Sequence, residues 1–185
     1  IDGVLDDAAW ATPTASAPFA RLRANPFARR QTTWRALRTP DPLYHCHECR
    51  EPDLESKRGG GTQRDWGALT DDAVLVFLCV EVGGPCLCVG STASGVPTDF
   101  RIAGGAPDFA WNGPWTVKAG KGDAVWNLEM AIPWATLDFE PKPDEKLALG
   151  VFRHAVPGGR DLTGWTPPVG GSLGNPKGFG QVVLK

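Results

Sequence analysis

The sequence between residues 71 and 90 is DDAVLVFLCVEVGGPCLCVG, and it contains the strongest strand pattern in the chain. Two apolar runs rich in β-branched residues flank the pair Gly83-Gly84, a pattern typical of two strands joined by a tight turn. We expect a hairpin in the protein core. With a two-residue turn Cys79 lies opposite Cys88, at a Cα separation within the disulfide range, so a Cys79–Cys88 bridge is predicted if the compartment is oxidising.

Shorter strand-like segments recur along the rest of the chain. They lie at 31–38, 43–50, 115–119, 125–132, 146–155 and 178–185. The 23 Gly and 17 Pro among 185 residues indicate many turns, and no long amphipathic helix is present. After Pro133 the sequence allows at most a short helical turn. These features predict one all-β domain over residues 1–185, an antiparallel two-sheet β-sandwich that is jelly-roll-like and has little helix.

Charge and composition exclude several classes of function. The net charge of -2 provides no basic field, which argues against a nucleic-acid partner. No apolar run approaches the roughly 20 residues of a membrane span. No G-x-S-x-G motif is present, so a serine hydrolase is not supported. The neighbouring Asp71 and Asp72 point to opposite faces of a strand, so they do not form the pair of carboxylates that a glycosidase needs. Because the chain begins at Ile1 and not at Met, we interpret it as a mature or trimmed product.

The segment PLYHCHECREPD, residues 42–53, is the clearest candidate for a metal site. Haem attachment is excluded because Arg50 stands where C-x-x-C-H requires histidine. In an extended strand Cys46 and Cys49 lie about 10 Å apart on opposite faces, so they do not pair with each other. The face bearing His45, His47 and Cys49 is either a transition-metal site or a half-buried face hydrogen-bonded within the sheet.

Several motifs in order along the chain resemble the family 9 carbohydrate-binding modules. These motifs are IDGVLDDAAW, LYHCHECREPD, RDWGALTDDAVLVFL, WNLEMAIPWATL, LGVFRHA, GWTPP and NPKGFGQVVL. The resemblance covers nearly the whole chain, and it implies a non-catalytic β-sandwich of secreted bacterial proteins that often carries structural calcium. The candidate calcium ligands are the acidic residues Asp71, Asp72, Asp2, Asp6 and Asp7. No nucleotide cofactor is implied.

The residues that would bind sugar in this family differ in this chain. The resemblance places two clamping tryptophans at positions occupied by Leu69 and Leu173, and an acidic residue at the position of Leu75. A replacement aromatic platform is one alternative, and it would use Trp66, Trp111 and Trp165, with Asp65, Asn112 or Arg153 as hydrogen-bonding partners. The other alternative is that these tryptophans cap the ends of the core.

Two further structural expectations concern buried groups. Trp10 is expected to anchor the N-terminus, and Glu129 and Arg153, both in strands expected to be buried, are expected to form a structural pair.

The leading functional hypothesis is a non-catalytic, extracellular or periplasmic module that binds a glycan or polysaccharide, or once did, as a domain or subunit of a larger exported assembly. The first alternative is an assembly domain of a surface layer or filament that has lost the sugar clamp. The second is transition-metal binding at His45, His47 and Cys49.

Overall fold

The computed structural model describes residues 1–22, 27–56, 61–65, 70–81, 84–137, 142, 144–156, 159–166 and 172–184. The strands within them are β1 (Ala20–Arg21), β2 (Thr32–Arg38), β3 (Leu43–Arg50), β4 (Ala73–Cys79), β5 (Cys86–Thr92), β6 (Pro97–Ala103), β7 (Ala106–Asp108), β8 (Thr116–Lys121), β9 (Val125–Ile132), β10 (Lys146–Ala155), β11 (Asp161–Gly164) and β12 (Gly180–Val183). Short 3-10 helices lie at Ala8–Ala11, Leu54–Ser56, Trp134–Leu137 and Pro176–Gly178.

The strands form two antiparallel sheets. The larger sheet has eight strands in the order β1-β11-β10-β4-β5-β6-β7, and β12 pairs with the first half of β10. The smaller sheet has the order β2-β3-β9-β8. The prediction of an all-β sandwich with little helix is confirmed.

Strand β4 is apolar on both of its faces. Side chains alternate between the two faces of a strand, so Val74, Val76 and Leu78 point into the core between the sheets. Leu75 and Phe77 point to the opposite, outer face, where they join a second apolar cluster. All seven residues of β4 are buried, which explains why its sequence is a continuous apolar run and does not alternate.

The β4–β5 hairpin differs from the sequence prediction. Cys79 pairs with Cys86 in the ladder and forms the disulfide with it, at a Cα separation of 4.4 Å, while Cys88 lies opposite Phe77 and is a free thiol. The predicted Cys79–Cys88 bridge is therefore wrong. A two-residue turn would have placed Pro85 within the ladder, where it cannot donate a hydrogen bond; the connection instead spans residues 80–85, and β5 begins after the proline.

The N-terminal segment covers the outer face of the smaller sheet. Leu128 and Met130 of β9 point into the core, so Glu129 between them points outward. Its carboxylate accepts hydrogen bonds from the backbone nitrogens of Asp2 and Gly3 and from Nε1 of Trp10, each at 2.9 Å. Trp10 thus anchors the N-terminus as predicted.

Candidate functional site

An open groove of about 1020 Å³ lies on the outer face of the larger sheet. Its floor consists of side chains that alternate along β4 and β6, namely Leu75 and Phe77 on one strand and Phe100 and Ile102 on the other. In each strand the intervening residues point inward, so the pleat of the sheet places all four on one surface.

The floor is an aromatic cluster centred on Phe77. The ring of Phe77 lies 5.9 Å from Phe100, 5.8 Å from Phe152 and 5.7 Å from Phe179, at edge-on or tilted angles. Phe179 packs directly on the backbone of Gly150, where a Cβ atom would lie 2.5 Å from the ring. Any larger residue at this glycine would displace the ring, so Gly150 fixes one end of the cluster.

Three loops form the walls of the groove. Phe109 follows β7 and stacks against Phe100 at 5.0 Å, yet 65% of its surface is exposed. Leu173 lines the groove from the segment that precedes the Pro176–Gly178 helix. Pro85 and Cys86 contribute from the hairpin that the disulfide closes, so the bridge holds part of the wall in place.

Polar atoms are few among the described residues of the groove. Asp65 supplies their one carboxylate, and its Oδ1 atom accepts hydrogen bonds from Thr98 Oγ1 at 3.2 Å and from Asp99 N at 2.9 Å. Thr70 and Ser172 add hydroxyls at exposed positions of the rim. The surface therefore offers large apolar contacts with a limited set of hydrogen-bonding groups.

Asp99 anchors the loops at one end of the groove from inside the sandwich. Its buried carboxylate accepts two hydrogen bonds from the Arg64 guanidinium, both at 2.7 Å. It also accepts from Gly113 N at 2.7 Å and from Trp115 Nε1 at 3.1 Å. The Asp99 side chain thus joins Arg64, which precedes the groove residue Asp65, to the loop that follows Phe109.

Replacing Asp99 with Asn is expected to lower the free energy of unfolding by about 3 kcal/mol. The amide replaces one acceptor oxygen with an NH2 group, which would face N–H donors and leave them without an acceptor. Urea denaturation of the variant against wild type measures the change. Asp108→Asn is the matched control, since Asp108 is exposed and accepts only a local bond from Ala110 N at 3.0 Å. Equal stability of the two variants would contradict the anchoring role of Asp99.

The tryptophans considered for an aromatic platform do not line this groove where they are described. Trp66 lies outside the described residues. Trp111 packs on the inter-sheet core beneath the Arg101 guanidinium, 4.6 Å from the ring centre, and Trp165 packs edge-on against Trp34 at 4.8 Å. Asn112 is exposed and donates to Ala110 O at 3.1 Å. The structure places Trp111 and Trp165 against the core, as in the capping alternative.

Arg153 lies between the two sheets and is fully buried, away from the groove. It pairs with the equally buried carboxylate of Glu51 at 3.2 Å and donates to Arg50 O at 2.8 Å. The expected pair of Arg153 with Glu129 is wrong, because Glu129 faces outward and holds the N-terminus. Since Arg153 does not line the groove, its predicted contact with a ligand receives no support from this site and stays a prediction.

His45, His47 and Cys49 share the inward face of β3, as predicted, but they are fully buried. Nδ1 of His45 and Nε2 of His47 are hydrogen-bonded at 2.9 Å, and His45 stacks on Trp34 at 4.9 Å. Cys49 accepts a hydrogen bond from Thr32 Oγ1 at 3.9 Å. Across the described part of the chain, no group of three His, Cys, Asp or Glu residues is arranged to hold a metal ion, so the predicted three-ligand site does not form.

Burial dominates the acid–base properties of this strand face. It lowers the pKa of His45 to about 3 and the pKa of His47 well below its usual range, because a charged imidazole would lose its hydration. It raises the pKa of the Cys49 thiol to about 11. Both histidines are therefore neutral at physiological pH, and the thiol stays protonated.

The acidic residues considered for calcium have other contacts. Asp71 accepts through its carbonyl from His154 Nδ1 at 2.9 Å, and Asp72 Oδ1 accepts from Val156 N at 3.2 Å. Asp2 Oδ1 accepts from Val4 N at 2.9 Å, and Asp6 and Asp7 lie in the exposed N-terminal segment. Calcium binding stays a prediction.

Sequence reasoning missed the aromatic residues of the groove. The segment PTDFRIA, residues 97–103, alternates so that Thr98, Phe100 and Ile102 share one face, which is a signal for a strand with a second apolar surface. The segment that holds Phe109 has no such periodicity, so nothing in its own sequence indicated the contact with Phe100.

Solved structures with a similar fold include the following three. Two are of a family 9 carbohydrate-binding module from Caldicellulosiruptor kristjanssonii, in complex with glucose and with cellotriose, at 17% and 18% sequence identity and a TM-score of 0.74. Each alignment covers 100% of this chain, and 90% and 88% of those chains respectively. The third is a protein from Bacteroides uniformis ATCC 8492 to which carbohydrate binding has been ascribed, at 12% identity and a TM-score of 0.77, covering 95% of this chain and 88% of that one.

The protein therefore has a fold like that of the family 9 carbohydrate-binding modules, in agreement with the resemblance of its sequence motifs. No family model matches the sequence, and no curated protein matches it. Among the described residues, no helix has the length and apolar character needed to cross a membrane.

Proposed function

We propose that the protein is a non-catalytic carbohydrate-binding module of an exported protein, and that the groove on the outer face of its larger sheet binds the glycan. One observation carries the proposal: Leu75 and Leu173, which stand at the acidic and clamp positions of the sequence resemblance, both line this groove. The coincidence supports a binding surface at the same place in the fold, formed by different residue types. The solved complexes of the similar module with glucose and cellotriose support the same class of ligand.

The groove has the chemical groups that a neutral sugar requires. The CH-rich face of a sugar ring packs on aromatic and aliphatic side chains, here the exposed ring of Phe109 and the side chain of Leu173. The hydroxyls of Thr70 and Ser172 at the rim are available to sugar hydroxyls. A phenylalanine ring offers less apolar area than a tryptophan ring, so we expect binding that is weaker per sugar ring than on a tryptophan surface.

The proposal of a non-catalytic role rests on the carboxylates. Hydrolysis of a glycosidic bond normally requires two carboxyl groups roughly 5 to 9 Å apart across the bond. The described lining of the groove contains one, Asp65, and it already accepts hydrogen bonds from Thr98 and Asp99. Export is supported by the Cys79–Cys86 disulfide, since such bonds persist in oxidising compartments.

Affinity electrophoresis in gels that contain soluble polysaccharides tests the proposal. Phe109→Ala is expected to reduce the affinity about tenfold, because the exposed ring supplies much of the apolar contact. Phe27→Ala is the matched control, since Phe27 is equally exposed, 67% against 65%, and does not line the groove. Leu173→Trp, which restores the residue of the clamp position, is expected to strengthen binding.

Other results of these experiments would contradict the proposal. If wild-type protein binds no polysaccharide, or if Phe109→Ala and Phe27→Ala have the same effect, glycan binding in this groove is rejected. A particle mass that rises well above the 19.8 kDa of the chain with concentration, with no polysaccharide bound, would instead favour the assembly domain.

A further inference from the structure

The described lining of the groove has few groups that bind hydroxyls, namely the carboxylate of Asp65, the hydroxyls of Thr70, Thr98 and Ser172, and the amide of Asn175. The aromatic residues that it contributes are phenylalanines, which have no polar atom, and it includes no Trp, Tyr or Arg. Leucines stand at the two resemblance positions that the structure describes, Leu75 and Leu173, and both line the groove, while Leu69 lies outside the described residues. A surface of this composition gains most of its binding energy from apolar area removed from water.

The groove is also larger than the binding of one sugar ring requires. Its volume of about 1020 Å³ lies at the upper end of the range typical of sites that bury a drug-sized ligand, roughly 300 to 1,000 Å³. Beyond Phe109 and the rim hydroxyls, the floor around Phe77 and Ile102 offers apolar contacts only. Phe77 is already covered by its neighbours and is 2% exposed, whereas Phe100 and Ile102 are only partly buried. A glycan end alone would leave these two side chains in contact with water or with unpaired hydroxyls.

Charge narrows the class of ligand further. The described lining has no cationic side chain that could pair with an acidic ligand. Its one carboxylate, on Asp65, is held by Thr98 and by the backbone of Asp99. A charged group placed on the phenylalanine floor would lose its hydration without gaining a partner, so a neutral ligand is favoured.

We infer that the ligand is an uncharged glycan end that carries an apolar substituent, an aglycone or an ester group, which packs on the partly exposed side chains of Phe100 and Ile102 while the sugar contacts the rim. This inference rests on the proposed function, and it specifies the class of glycan. Phe109 lies where floor and rim meet, so its ring contacts both parts of such a ligand.

Isothermal titration calorimetry with methyl β-glucoside, phenyl β-glucoside and 4-carboxyphenyl β-glucoside tests the inference. We expect phenyl β-glucoside to bind at least about tenfold more tightly than the methyl compound, and the carboxylate to remove that gain. Phe109→Ala should reduce the ratio between the phenyl and methyl compounds, and Phe27→Ala should leave it unchanged.

The outcomes separate this inference from the proposed function. Equal affinity for the methyl and phenyl compounds overturns the inference and leaves glycan binding intact. Benzyl alcohol, titrated in parallel, is expected to bind more weakly than phenyl β-glucoside. If it binds as tightly as phenyl β-glucoside while the methyl compound does not bind, the proposed function is overturned instead, because the sugar then contributes nothing.

Discussion

Glu51→Gln is expected to lower the free energy of unfolding by about 3 to 5 kcal/mol, the usual cost of removing one partner of a buried ion pair. Glu51 and Arg153 are both fully buried, and Arg30 donates to the same carboxylate at 2.9 Å. Without the negative charge, Arg153 would remain in the core as an uncompensated cation. Urea denaturation at neutral pH measures the loss.

Two further variants test the cause of this loss. Glu48→Gln, three residues earlier in β3 and only partly buried, is the control, and it should change stability by no more than about 0.5 kcal/mol. The double variant Glu51→Gln, Arg153→Met removes both charges, so it should be more stable than Glu51→Gln alone. If the double variant loses the sum of both single losses, the pair is not the source of the effect.

Stability is expected to fall by about 4 kcal/mol between pH 7 and pH 5 because of the two buried histidines. In the unfolded chain each histidine has a pKa of about 6.5, so at pH 5 each has taken up a proton. Because the native state stays neutral, each protonation stabilises the unfolded chain relative to the native state by about 2 kcal/mol. The native pKa of His45 is lowered to about 3, and that of His47 is lowered well below its usual range. The contribution is complete above pH 6.5 and declines as the pH falls towards 3.

The physical cause is the environment of the two rings. They contact each other and Trp34, and no described carboxylate forms a hydrogen bond with either ring. Their other nitrogens, Nε2 of His45 and Nδ1 of His47, have no described partner within the protein. Denaturation curves collected at half-unit pH intervals measure the slope, and His47→Leu should reduce the decline by about half. A decline of unchanged size in that variant would contradict this account.

Most strands could be predicted because their apolar runs are local in sequence, and the family motifs added their order. The strands β1, β6, β7 and β11 were not predicted. The register of the β4–β5 hairpin was predicted wrongly because Pro85, and not the glycine pair, determines where β5 begins. The partner of Arg153 was missed because Glu51 comes from the other sheet, and strand periodicity does not determine how two sheets lie across each other.

The groove was harder to predict than the fold. The continuous apolar run of β4 predicted burial, but it did not show that Leu75 and Phe77 face a second surface. That surface is completed by Phe109 and Leu173, which are 64 residues apart in the chain and belong to loops without periodicity. Such contacts depend on the pairing of β6 with β7 and of β10 with β12, which only the tertiary structure defines.

The attachment of the N-terminal segment to Glu129 determines how the module would be displayed. Asp2, Gly3 and Trp10 lie against the smaller sheet, while the groove opens on the larger one, on the opposite side of the sandwich. A tether joined ahead of Ile1 would therefore leave from the back of the domain. Immobilised on a bead or a sensor by that tether, the protein would present its groove towards the solution.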